Sequence, residues 1–378
     1  MNGATVRNLG SALRRLARAM GFGAIALAAT ASFAQAQDWP GKADWDKTVA
    51  AAKKEGKVVV SGPVGNTWRE ALTSFEKDYG IKVEFTSANG ADFWPRYIQE
   101  QKLGKSLWDL RISAPDTNSY ELLAQGDKIA DVRSMLVLPE VTADKNWVGG
   151  YDSIYSDKAK KYFVGFGLVG GPLAWVNRDF VSEAELSNMS QLNEDRFKGK
   201  VTTLDWRGGS ASNNFALLLS DKRYGANWLR DLIVKNEIVV TNNNRQQIDW
   251  LIRGNYPIAI GVTSNILFNM KETGLAQNVV PLDGPRKYSS SFGGLIAFQK
   301  PPNPNAAKVY ANWIMSQKGQ ATIAKLANYN SRRTDVEPGE AATVVDLSKI
   351  DDYVNTQSEE MLPAYDAWRE FARTLKQP

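Results

Sequence analysis

Val201-Thr202-Thr203-Leu204-Asp205-Trp206-Arg207-Gly208-Gly209-Ser210-Ala211-Ser212-Asn213-Asn214-Phe215-Ala216-Leu217-Leu218-Leu219 begins with a strand-like alternation and ends in a continuous apolar run. Two glycines, an arginine and small polar residues lie between, so the order is strand, turn and helix start. The first N–H groups of a helix lack intrahelical acceptors and carry partial positive charge. Gly208, Gly209 and Ser210 can therefore present donors to an anion while Arg207 adds a planar fork. The segment reads as half of a binding cleft, or more plainly as a solvated turn whose Ser210 or Ser212 caps the helix. The rest of the chain has to decide between the two.

Downstream, a helix is predicted around Asn227 to Lys235, followed by Asn242-Asn243-Asn244-Arg245 and a helix closed by Trp250, Leu251 and Gly254. Ile258-Ala259-Ile260-Gly261 is a short buried strand ending in Val262-Thr263-Ser264-Asn265. Upstream, Phe163 to Val176 is nearly uncharged and holds Gly165, Gly167, Gly170 and Gly171. It is either a buried strand or a strand crossing from one lobe to another, since glycines ease backbone adjustment at a hinge.

The first third alternates in the same way. A helix from Trp45 to Gly56 precedes a strand from Lys57 to Ser61, and Trp68, Ala71, Leu72, Phe75 and Tyr79 share one helix face before Gly80. Ile81 to Ser87 reads as a strand, Phe93 to Leu103 as an amphipathic helix and Trp108 to Ser113 as a third strand. Strands separated by helices predict parallel pairing with right-handed crossovers, and ligands of such sheets sit at the strands' carboxyl ends. Asn66, Thr67 and Trp68, then Ser87 and Asn89, then Ser113 to Asp116 are thereby candidates together.

Residues 1–36 carry Arg7, Arg14, Arg15 and Arg18 and no acid, then an apolar stretch from Met20 to Phe33, then Ala34-Gln35-Ala36. This is the order of a secretory signal peptide, with cleavage expected after Ala36. Removing those four arginines from 46 basic and 41 acidic residues leaves 42 against 41. A polyanion-binding surface is not indicated, and no nucleic-acid partner is expected. The chain has no cysteine, hence neither disulfides nor the cysteine of a bacterial lipid anchor. A mature chain of roughly 340 residues exceeds one ordinary core, so two domains are expected. Tyr365, Trp368, Phe371, Ala372 and Leu375, after Pro363, predict a C-terminal amphipathic helix packed on a lobe.

Five segments carry a family resemblance. They are Trp45-Asp46 through Ala52-Lys53-Lys54-Glu55-Gly56-Lys57-Val58, Phe197-Lys198-Gly199-Lys200-Val201, Arg253-Gly254-Asn255-Tyr256-Pro257-Ile258-Ala259-Ile260-Gly261, Pro281-Leu282-Asp283-Gly284-Pro285, and Asn303-Pro304-Asn305-Ala306-Ala307-Lys308 through Trp313-Ile314-Met315-Ser316-Gln317-Lys318-Gly319-Gln320. In this order the chain resembles the periplasmic solute-binding proteins of bacterial ABC importers, with the α/β, two-lobed type II periplasmic binding protein fold. The resemblance implies two mainly parallel sheets flanked by helices and joined by crossover strands. It divides the chain into lobe 1 (38–168 plus 285–330), lobe 2 (169–284) and a C-terminal helical segment (331–378) packed on the lobes. It also implies a monomeric periplasmic protein without cofactor that passes a small-molecule ligand to an inner-membrane permease.

The subgroup it looks most like binds ferric ion, and in its iron carriers a pair of tyrosines follows the strand that here is Ile258 to Gly261. This chain has Val262-Thr263-Ser264-Asn265-Ile266 there, and no histidine anywhere. Thr263, Ser264 and Asn265 are neutral hydrogen-bonders; with Arg207, Gly209, Ser210 and Arg245 and the aromatics Trp68, Trp94 and Trp206 they outline a site for an organic anion such as a carboxylate, phosphonate or sugar phosphate. Each has a plainer role: core packing for the tryptophans, surface ion pairs for Arg207 and Arg245, helix capping for Thr263 to Asn265. Two other classes stay open. One is a ferric carrier using a bound anion. The other is an exported glycoside hydrolase using paired carboxylates, whereas a serine hydrolase is disfavoured by the lack of histidine and of a Gly-x-Ser-x-Gly turn.

Overall fold

Val58, Val60, Leu295 and Ala297 fall in one apolar cluster, while Val59 and Ile296 pack in another on the opposite side of the same sheet. Successive residues of a strand point to opposite faces, so this division means that helices cover both faces. The computed structural model describes residues 39–375 apart from positions 208, 263, 341 and 342. The signal peptide expected over 1–36, Gly208 and Thr263 therefore lie outside the described residues. The strands are β1 (Lys57–Gly62), β2 (Lys82–Ser87), β3 (Leu110–Ile112), β4 (Phe163–Gly165), β5 (Val169–Asn177), β6 (Val201–Leu204), β7 (Val239–Thr241), β8 (Ile258–Ile260), β9 (Val279–Ser289), β10 (Gly294–Ala297) and β11 (Tyr353–Asn355).

They form two sheets. The first has the order β2-β1-β3-β10-β4 and the second β11-β9-β5-β8-β6-β7. Strands joined through helices pair in parallel, as β1 does with β2 and β3, and β6 with β7 and β8. The strands that enter from the other sheet run antiparallel: β10 against β3 and β4, and β5 against β8 and β9. In the second sheet Ile258 and Ile260 face one cluster and Ala259 the other, the same two-sided burial.

The glycine-rich run thus crosses between sheets, ending β4 at Gly165 and resuming as β5 at Val169. A second crossing joins β9 to β10 through Ser290 to Gly293. Backbone freedom does not account for the first glycines, because Gly165, Gly167 and Gly170 are not among the residues with positive φ. Their need is space. A Cβ on Gly167 would lie 1.8 Å from the Tyr329 hydroxyl, one on Gly165 would lie 2.0 Å from the Ser290 hydroxyl, and one on Gly170 would lie 2.4 Å from Val345 Cγ2. Tyr329 also touches the second crossing: it accepts the Gly293 N–H at 2.9 Å and donates to the Ser290 carbonyl.

Two helix readings change. The predicted helix through Trp68 and Tyr79 is two, Asn66–Thr73 and Phe75–Tyr79, because the Ser74 hydroxyl bonds back to the Glu70 carbonyl at 2.8 Å and competes with the helical ladder. The one around Asn227 to Lys235 is an α-helix, Gly225–Arg230, running into a π-helical turn, Asp231–Lys235. Beyond residue 331 the chain is not only helical, since β11 pairs in parallel with β9. The C-terminal helix Leu362–Thr374 then packs on Gly209–Ser220, with Trp368 stacked on Phe215 at 5.2 Å and its indole N–H donating to the Trp206 carbonyl at 2.9 Å. Among the described residues no helix is long and apolar enough to cross a membrane.

Gly167→Ala is expected to cost about 1–3 kcal/mol by overpacking against Tyr329. In urea unfolding, Gly167→Ala combined with Tyr329→Ala should cost less than the sum of the two single changes; strict additivity would contradict the close approach.

Candidate functional site

The carboxyl ends of the second sheet's parallel strands and the two crossings converge on one cavity of about 540 Å³. After β6, the helix Gly209–Ser220 brings Asn213 and Asn214 to its wall; after β7, the helix Asn244–Arg253 brings Asn244; after β8 come Gly261 and Val262. This is where an open α/β sheet places its ligands. Gly261 has φ 73°, and a Cβ there would lie 2.4 Å from the Asn214 amide nitrogen, so both backbone and space require glycine. The opposite wall is aromatic. Trp68, from the helix after β1, meets Tyr329 edge-on at 5.0 Å and Phe292 at 6.3 Å between ring centroids.

Between these walls β9 supplies Lys287, paired in register with Gly171 on β5. Its ammonium donates to the Asn214 side-chain oxygen. Burial makes the charged form costly and draws its pKa down from 10.5 to about 8. The cavity's carboxylate, Glu340, accepts from the Asn328 side-chain amide at 3.1 Å, and its backbone is held by Asn330 on both sides: the Glu340 N–H donates to Asn330 Oδ1 at 2.8 Å, and Asn330 Nδ2 donates to the Glu340 carbonyl at 2.7 Å. The site therefore offers a partly buried cation, a carboxylate, several amides and an aromatic face. Among the described residues no three His, Cys, Asp or Glu side chains group as metal ligands, and the phenol in the wall, Tyr329, already bonds to two backbone groups.

The sequence-predicted residues distribute unevenly around this cavity. Trp68 lines it. Asn66 and Thr67 are exposed on the first turn of the helix Asn66–Thr73, away from the lining. Ser87 ends β2, Asn89 caps the helix Gly90–Lys102 by accepting the Asp92 N–H at 2.9 Å, and Ser113 donates to the Ala114 carbonyl at 3.1 Å. Trp94 and Trp206 are each only 1 % exposed, and Trp94 spends its N–H on Asp116 at 2.7 Å. They are core residues. Arg207 is held by Asp205 through two parallel contacts, Nε to Oδ1 at 2.8 Å and Nη2 to Oδ2 at 2.7 Å, and lies outside the lining. The acid two residues earlier takes the fork that the ligand was expected to meet.

Arg245 belongs to a separate surface groove with Asp249 and Trp250. Gly209 and Ser210 start one helix and Ser264 and Asn265 start another, Ser264–Glu272. What the sequence reading missed is Lys287, Asn213, Asn214, Phe292 and Tyr329. Asn213 and Asn214 follow directly on the turn that drew attention, and helical periodicity carries them to its cavity side. Lys287 gives no sequence signal of its own, because the face of β9 it takes depends on register.

A family model described as "Bacterial extracellular solute-binding protein" matches residues 70–349. Similar solved structures include apo ferric ion-binding protein A of Pasteurella haemolytica, 18% identical over 85% of this chain and 98% of that one, with a TM-score of 0.60. The iron- and citrate-bound IdiA (FutA) of Trichodesmium is 14% identical over 85% and 100%, with a TM-score of 0.63. A putative extracellular solute-binding protein of Bordetella parapertussis is 14% identical over 85% and 99%, with a TM-score of 0.61. At these identities the structures share the fold. No curated protein sequence matches the chain.

Because the folded-state pKa of Lys287 lies below its usual 10.5, the penalty for its buried charge is fully present below about pH 8 and is lifted as pH rises towards 10.5. Thermal melts should show wild type gaining stability relative to Lys287→Met between pH 8 and 10.5, with a constant difference from pH 5.5 to 7.5. A difference that is flat across both ranges would mean that the ammonium is solvated.

Proposed function

The chain belongs to the bacterial extracellular solute-binding protein family, a family of binding proteins rather than enzymes, and from that premise we propose that it captures a small organic anion in the cavity between its two sheets. The observation that carries the reading is Lys287: a partly buried ammonium whose pKa is drawn down to about 8, facing amides across from an aromatic wall, is completed by a carboxylate, phosphonate or phosphate on a partly apolar body. Asn213, Asn214 and Asn244 would bond the ligand's remaining polar atoms, and Trp68 and Phe292 would stack on its body. Arg207, already paired, would stay outside.

Capture works by differential stability. A solute touching both walls favours the arrangement in which the lobes close upon it, and the crossings through Gly167 and Gly293 would be the axis of that motion. The lobes in this reading are the two sheets with their helices. Delivery would follow by docking on an inner-membrane ABC permease after export to the periplasm. The similar structures named for ferric ion make iron with a bound anion the competing cargo. The cavity's lysine supports the anion, since an ammonium beside a ferric ion would be repelled.

Calorimetry of the mature protein against carboxylates, phosphonates, sugar phosphates and ferric citrate tests this. One organic anion should bind, and Lys287→Met should lose at least about 2 kcal/mol, roughly thirtyfold in Kd. Phe292→Ala, at an exposed ring, should cost about 1 kcal/mol of binding, and Arg207→Ala should stay within twofold. For a carboxylate, affinity should be level from pH 6 to 7.5 and fall above pH 8 as Lys287 loses its proton. Tight binding of iron alone, insensitive to Lys287, would overturn the reading.

A further inference from the structure

β9 sends alternate side chains to opposite sides: Lys287 and Ser289 to the cavity already described, Tyr288 to a second one. This rear cavity, of about 580 Å³, is walled on one side by residues 153–160 and Arg332 and on the other by Tyr288, β11 and Ser358 to Met361. The first wall packs with the first sheet through the Tyr155–Val164 bridge and the bond from the Arg332 N–H to the Phe166 carbonyl at 2.7 Å. The second wall belongs to the second sheet through the pairing of β11 with β9. Anything held here touches elements of both sheets.

Two neighbouring arginines at this place are treated very differently. Arg333 is fully satisfied: both Nε and Nη2 bond to Asp335 at 2.8 Å, and Nη1 bonds to the Met315 and Glu140 carbonyls at 3.0 and 3.2 Å. Arg332, 5 % exposed, donates from Nε to the Val148 carbonyl at 3.1 Å and hydrogen-bonds to the side chain of Tyr288, whose ring centroid lies 5.6 Å away, but these partners are neutral. Among the described residues no carboxylate lies within salt-bridge distance of it. A buried guanidinium without a carboxylate has given up its hydration for little in return, and its five donors suit a planar or tetrahedral oxyanion.

The nearby acids do not supply that partner. Asp157, in the same wall, accepts the N–H groups of Lys161 at 3.0 Å and of Tyr162 and Phe163 at 2.9 Å each. Glu360 lies exposed in the lining, and Glu359 accepts the Lys158 N–H at 2.8 Å. Lys158 and Lys160 stand exposed in the lining and add positive charge. We propose that the rear cavity is a second binding site, for a small oxyanion, in which Arg332 forms the anchoring pair, the Tyr288 and Tyr353 phenols flank the ligand and Lys158 and Lys160 draw it in. Carboxylate and phosphate share the required chemistry. Because the two walls belong to different sheets, an occupant touches elements of both.

The experiment uses the full mature chain carrying Lys287→Met, so that the front ammonium is gone, titrated calorimetrically with inorganic phosphate and, separately, with succinate in a chloride buffer. One equivalent of at least one of them should bind, the tighter of the two identifying the source. Adding Arg332→Gln should weaken it at least tenfold, and adding Lys158→Glu with Lys160→Glu, at exposed positions, should weaken it several-fold. Should Arg332→Gln fail to fold, the lysine pair and Tyr353→Phe decide. Saturable binding of neither ion, or binding that none of these changes moves, overturns the proposal. Failure of the front site is read separately, from the wild-type titrations, so the two outcomes do not mask each other.

Discussion

Tyr329 is wedged where the two crossings between sheets pass closest. Its ring occupies the space that Cβ atoms on Gly167 and Gly293 would need, and its hydroxyl bonds to the Gly293 N–H and the Ser290 carbonyl. The backbone on each side is thereby fixed to within the reach of one phenol, and with it the relative position of β4 to β5 and of β9 to β10. The same ring forms part of the front cavity and meets Trp68 edge-on. One side chain thus joins the geometry of the two crossings to the wall that a solute would touch.

Electrostatics divides the molecule front from rear along β9. On the front side Lys287 stands near amides, with burial lowering its pKa to about 8. On the rear side Arg332 stands near phenols, its pKa likewise lowered by burial. Arg332 is buried and Lys287 partly so, a condition that raises the free energy of a cation and that an anion of matching size would relieve. The ion pair of Arg207 with Asp205, in contrast, is half exposed and complete in itself. A charge that is already neutralised in water has little to gain from a ligand.

Much of the framework was legible in the sequence. The alternation of strand and helix and the C-terminal helix with Trp368 follow from periodicity, which is a local property, whereas Phe163 to Val176 read as either a buried strand or a crossing strand until the two sheets separated its halves. The site was legible only in part, because it depends on partners distant in the chain. Arg207 reads as a ligand fork until Asp205 is seen to turn back onto it. Trp94 and Trp206 read as cavity aromatics until Asp116 and Trp368 are found packed against them. Lys287 and Tyr288 differ by one position and face different cavities, a distinction that pairing with Gly171 and Gly170 settles and that sequence cannot. Even the glycines of the first crossing meet a different need from the one their sequence suggests, since the φ angles of Gly165, Gly167 and Gly170 are ordinary and the missing Cβ is what matters.

The most direct test of an anion-carrying front cavity is native mass spectrometry of the protein purified from its own compartment, paired with metal analysis of the same sample. The account predicts a 1:1 complex with a small carboxylate, phosphonate or phosphate, released on acidification and absent from Lys287→Met, with iron well below stoichiometric. One equivalent of iron per chain, retained in Lys287→Met, would contradict it.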